Sequence, residues 1–165
     1  MKPRYSIPDY DNEINDFSFK LGSQTYRQRP DDFYPVYSYK YLNINIIEKY
    51  CFIQTNFEKE EYNKYFEIVR DLSYSKIGEL HQQGKYRFRI SKHNRTILDL
   101  LTQLVGKSSL TDEQIPEFGH FHLSETNKID EQKSKCPVIH FFLGERGVFH
   151  ILFYDPYHQI HPTKH

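Results

Sequence analysis

Apolar residues alternate with polar ones or cluster in six short stretches of this chain, and they recur at intervals of three and four in two longer ones. Alternation marks a strand and the three-to-four spacing an amphipathic helix. Residues 137–143 and 148–154 are apolar, aromatic runs joined by Gly144-Glu145-Arg146-Gly147, a good hairpin connection. Simple closure sets Leu143 opposite Val148. That register places His140, Phe142, Phe149 and Ile151 on one face and Phe141, Leu143, Val148 and His150 on the other, so His140 and His150 cannot share a site. Both faces are largely apolar, as expected for a hairpin in the middle of a covered sheet. Residues 118–123 predict another strand, with His120 and His122 on one side and Phe121 and Leu123 on the other. Asp155-Pro156 ends the last strand, because proline has no N–H for a ladder, and Tyr157, His158 and His161 follow.

Upstream, residues 1–35 hold four of the eight prolines and no sustained period, which predicts an irregular, aromatic N-terminal arm packed on the body. Tyr37, Tyr39 and Tyr41 alternate, and Ile44 and Ile46 alternate in the opposite phase, predicting a strand over 37–47 with a slip near Leu42. Residues 51–54 suggest a second strand. Thr55 and Glu58 fit a capping box, and Tyr62, Tyr65, Phe66, Val69 and Leu72 form the apolar stripe of a helix over 58–72. A short helix over 75–83 stops at Gly84. Residues 85–91 alternate as a strand that turns Lys85, Arg87, Arg89 and Ser91 outward. Asn94 caps a helix over 95–105 whose core face is Ile97, Leu100, Leu101 and Leu104, with Gly106 as terminator. Thr111 and Gln114 fit a further capping box, and 125–135 reads as a polar loop.

The expected fold is one α+β domain over 36–165, a mainly antiparallel sheet with a C-terminal hairpin covered by two or three helices. At 165 residues and zero formal net charge, no global field draws the chain to nucleic acid or membrane. Charge is uneven, however: residues 73–107 carry seven bases against two acids. Cys51 and Cys136 are far apart, without a zinc-knuckle or disulfide-framework spacing. With neither a signal peptide nor an apolar run of membrane length, the expected location is the cytoplasm.

Two constellations carry chemistry. Lys85, Arg87, Arg89, Lys92, His93 and Arg95 put six potential cations in eleven residues just ahead of a helix N-terminus. Phosphate is their natural ligand, since arginine forks and free backbone amides both favour it. Solvated pairing with carboxylates is the bland alternative. Seven of nine histidines lie from His120 onward. His120, His122 and His158, with His161 nearby, suit acid–base cleavage of a phosphodiester, one imidazole taking a ribose hydroxyl proton and another protonating the leaving oxygen. The same residues can ligate a metal, for which Glu125 and Asp155 are the only additional carboxylates. Tyr154 and Tyr157 are candidates for stacking on bases.

Nucleotide loops, serine-hydrolase elbows, metalloprotease helices and kinase signatures are missing from the sequence. The expectation is therefore a nucleic-acid-directed protein, most concretely a small metal-independent ribonuclease with no cofactor, RNA as its partner and no membrane association. The catalytic candidates are His120, His122 and His158; the phosphate-binding candidates are Lys85, Arg87, Arg89, Lys92 and Arg95. The general architecture resembles that of compact bacterial ribonuclease toxins. The alternative is a non-catalytic binding or inhibitor protein that holds a protein partner or nucleotide through the basic strand and aromatic surface.

Overall fold

A computed structural model describes residues 30–54, 57–107, 110, 117–124 and 135–161. Most of the predicted N-terminal arm, the box at Thr111 and most of the polar loop, Glu125 included, lie outside them. The described chain is an α+β domain built on one five-stranded sheet in the order β1-β5-β4-β3-β2, where β1 is Val36–Ser38, β2 Arg89–Ser91, β3 Glu117–His122, β4 Val138–Leu143 and β5 Val148–Asp155. Only the β1–β5 pair is parallel. Three helices, α1 (Lys59–Leu72), α2 (Ile77–Gln83) and α3 (Arg95–Val105), cover it.

Alternation along β3 and β4 divides the core. Phe121, Leu123, Ile139, Phe141 and Leu143 pack with Tyr65, Ile68, Leu72, Ile77 and Leu80 of α1 and α2. Phe118, Phe142, Leu152 and Phe153 pack with Ile97, Leu100 and Leu101 of α3. His120, His122 and His140 share this second face. The central strands are therefore buried on both sides, as their continuous apolar character requires. Gly119 is needed where β2 and β3 meet, since a Cβ there would run into the Phe141 ring and the Arg89 carbonyl.

Helix α3 forms as the sequence predicts. The Asn94 side chain accepts the Ile97 N–H at 2.8 Å, and Gly106 adopts a left-handed φ of 66° beyond the last turn. Helix α1 is rotated from the predicted stripe. Glu61, Tyr65, Ile68 and Leu72 face inward, while Tyr62 and Phe66 are exposed. The capping box sits one turn later than predicted, between Glu58 and Glu61, and Glu61 also pairs with Lys135. Burial pushes the Glu61 carboxyl up, but its bonds to Lys135 and to backbone amides hold it below the ordinary range.

Four strand expectations are corrected. The predicted strand over 37–47 stops at Ser38, and residues 51–54 form a turn. The fully buried Asn43 side chain accepts the N–H groups of Ile46 and Ile47 and donates to the Ile47 carbonyl at 2.9 Å, drawing that backbone out of a ladder. The basic strand begins only at Arg89. Tyr86 and Arg87 both have φ of 51°, and Lys85 and Tyr86 are bound instead to Asp71, each at 2.6 Å. In the hairpin, Leu143 pairs with Phe149 rather than Val148, because Arg146 and Gly147 take left-handed conformations at the turn. That single-residue shift exchanges the faces of β5 near the turn. His150 now shares a face with His140, yet it stacks on Phe142 with ring centroids 4.4 Å apart, away from the other histidines. A bulge further along places Phe153 opposite His140.

Candidate functional site

The apolar cover supplied by α3 stops at Phe118, two residues before His120, and a cleft of about 1100 Å³ opens where it ends. Its walls come from separate parts of the chain: Arg87, Arg89 and Ser91 at the basic turn and strand, Asn94, Arg95 and Thr96 at the start of α3, His120 and His122 of β3, and residues 158–161 of the tail. Exposed His81 lines it as well.

Two hydrogen bonds bring the tail here. Buried Asp155 accepts the N–H of Ile160 at 2.7 Å, and Asn94, already the cap of α3, donates through its amide to the Ile160 carbonyl at 3.0 Å. The turn between those anchors holds His158 at a φ of 53° and presents its ring to β3. Ring centroids of His158 and His122 lie 4.8 Å apart, and those of His158 and His120 lie 5.7 Å apart. His120 and His122, two residues apart on a strand, are 5.6 Å apart. One ligand atom from each of the three lies within 4.8 Å of the others. His158 Nε2 is buried without a hydrogen-bond partner. On the other side of His122, Cys136 Sγ lies 3.8 Å from Nδ1.

Around this triad stand His161 and His140, with ring centroids 5.8 Å and 5.7 Å from that of His120. His140 Nε2 lies 3.6 Å from Asp155 Oδ2. Burial raises the Asp155 carboxyl, but His140 and the backbone N–H groups of Ile160 and Gln159 outweigh it and hold the group ionised below the usual carboxylate range. The imidazoles are pushed the other way. Burial, then the neighbouring histidines, lowers His120 to about 2. Burial, then His158 and Arg87, lowers His122 to about 3, and His158 is lowered too, again chiefly by burial. All three are neutral at physiological pH, with lone pairs available.

Of the residues singled out from the sequence, His120, His122 and His158 converge, and Arg87, Arg89 and Arg95 line the same cleft. Lys85 is tied to Asp71, and exposed Lys92 lies outside the lining. Tyr154 is fully buried in the first core and offers no stacking face, whereas Tyr157 is exposed. The positions of His140 and of the Asp155 carboxylate beside the triad depend on cross-strand pairing and a tail turn, and no spacing in the sequence signals them.

A comparison with protein families finds no matching model, and comparisons with curated proteins and with solved structures find no match either.

Proposed function

We propose that the protein is a phosphodiester-cleaving enzyme directed at nucleic acid, with RNA as its preferred substrate. The observation that carries this reading is the convergence of three arginines and three histidines from four separate parts of the chain on one cleft. Arg87, Arg89 and Arg95, with the first turn of α3, bind the phosphate and stabilise the charge of the phosphorane. The imidazole cluster serves the reacting atoms, directly or through a group it holds: the ribose 2′-hydroxyl loses its proton, its oxygen bonds to phosphorus, and the bond from phosphorus to the 5′-oxygen breaks as that oxygen gains a proton. Exposed Tyr157 stands in the same tail and can stack on a base.

A purely imidazole acid–base pair would need one ring of the triad protonated near neutrality. Burial and crowding oppose that charge in all three rings. Two cysteines without a disulfide suit a reducing cytoplasm. The non-catalytic alternative, a protein holding a nucleotide or protein partner, requires the same basic surface but no histidine chemistry.

Incubation of the protein with end-labelled single-stranded RNA and DNA, with magnesium, manganese or zinc salts present in turn, tests the reading. RNA fragments ending in cyclic phosphate are expected, and DNA is expected to survive. Salt-sensitive binding that leaves RNA intact under every one of those conditions would establish the non-catalytic alternative instead.

A further inference from the structure

We propose that His120, His122 and His158 bind one divalent transition-metal ion, zinc by the chemistry of the donors. The inference rests on the geometry of the cleft and not on the reaction assigned to it. Three nitrogens held by one tetrahedral ion at about 2.0–2.1 Å stand roughly 3.4 Å apart. The donor atoms here already lie within 4.8 Å of one another, so small side-chain rotations close them on an ion. His120 and His122 project from one face of β3, which β4 pairs at both positions and β2 pairs at His120.

A second observation points the same way. His158 Nε2 is a buried polar atom with no hydrogen-bond partner, on a residue held at a left-handed φ by a doubly anchored turn. An unsatisfied buried nitrogen of this kind costs stability unless something binds it. Cys136 Sγ occupies the Nδ1 side of His122, which leaves Nε2 as that ring's ligating atom.

Three imidazoles and no carboxylate favour zinc over magnesium or calcium, which prefer oxygen donors. Three protein ligands leave a fourth position open toward the cleft, the arrangement of a site that does chemistry rather than one that only braces a fold. Neutral ligands leave the dication's charge uncompensated, and Arg87 and Arg89 stand on the same cleft. The fourth ligand that suits such surroundings is an anion, a hydroxide or a phosphate oxygen.

Calorimetric titration of chelator-treated full-length protein with zinc tests the site, and no RNA is present at any stage. One equivalent is expected to bind, with a rise in Tm as zinc is added. Cobalt in its place is expected to give the visible absorption of a tetrahedral ion. His158→Ala should weaken zinc binding about a hundredfold or more, beyond the 10–100-fold typical of outer partners. His93→Ala, outside the cleft, should bind as the wild type does. Failure of the wild type to take up a stoichiometric ion overturns the proposal, and so does a His158→Ala variant with unchanged affinity. If that variant does not fold, His158→Gln and the wild-type titration decide. RNA cleavage that survives in protein shown to bind no metal would remove the metal site and leave the reaction. Stoichiometric binding without cleavage would do the reverse.

Discussion

Asp155 and Ile160 are joined by a 2.7 Å hydrogen bond in which a buried carboxylate accepts the backbone N–H of the residue five positions on. The bond turns the tail back over β3 and sets His158 against His120 and His122. It also places a negative charge 3.6 Å from His140, which stands beside His120.

Asp155→Ala should therefore act on stability and site together. Its loss leaves the Ile160 N–H without its acceptor and takes the carboxylate away from His140, at a cost of about 1 to 3 kcal/mol for each group left unsatisfied. Urea denaturation measures the loss. Zinc binding by the folded fraction should weaken as well, whereas an equally stable variant with unchanged zinc affinity would show that the tail is held by other contacts.

Helix orientation is tested by a pair of truncations. Leu101 is fully buried against the second core, so Leu101→Ala should cost about 2 to 5 kcal/mol. Phe66 is 57% exposed, and Phe66→Ala should change stability by no more than about 0.5 kcal/mol. A loss at Phe66 as large as that expected at Leu101 would contradict the rotation described for α1.

RNA binding should divide the basic residues by position rather than by charge. Arg87→Ala with Arg89→Ala should weaken binding and lower the salt dependence by about 0.7 for each phosphate contact to a single strand. Lys85→Ala and Lys92→Ala should do neither, since Lys85 is paired with Asp71 and Lys92 stands outside the cleft. Filter binding across a salt series distinguishes the two pairs.

His150 sets a pH dependence. Burial, with a smaller contribution from Lys40, lowers its folded pKa to about 4, from 6.5 for the unperturbed group. The unfolded chain therefore binds the proton first on acidification, and the residue's contribution to stability is present above pH 6.5 and lost as pH falls toward 4. His150→Phe should flatten the fall in urea midpoint over that window. A variant with the same slope as the wild type would mean that His150 is charged in the folded state.

The elements whose signals are local were legible in the sequence. Asn94 and Gly106 bracket α3, Gly84 ends α2, and alternation on β3 put His120 and His122 on one face. Misreadings arose where a side chain or a turn decided the backbone. Asn43 removed a strand, Asp71 held Lys85 and Tyr86 back from β2, and the left-handed Arg146 moved the hairpin by one residue and with it the face of His150. Asp155-Pro156 marked the end of β5, after which the tail that carries His158 turns back beside β3. The roles of His140 and of the Asp155 carboxylate depend on tertiary pairing and on a bond that closes only in the folded chain.

The most direct test of the central claim is single-turnover cleavage of labelled RNA by wild type and by His158→Ala, at protein concentrations that saturate the RNA and with zinc supplied. Histidine and arginine acting in one cleft predict that the variant retains RNA affinity while its cleavage rate falls by about a hundredfold or more, the scale of a lost group acting in the transition state. Equal rates for the two proteins, or no cleavage by the wild type, would contradict it.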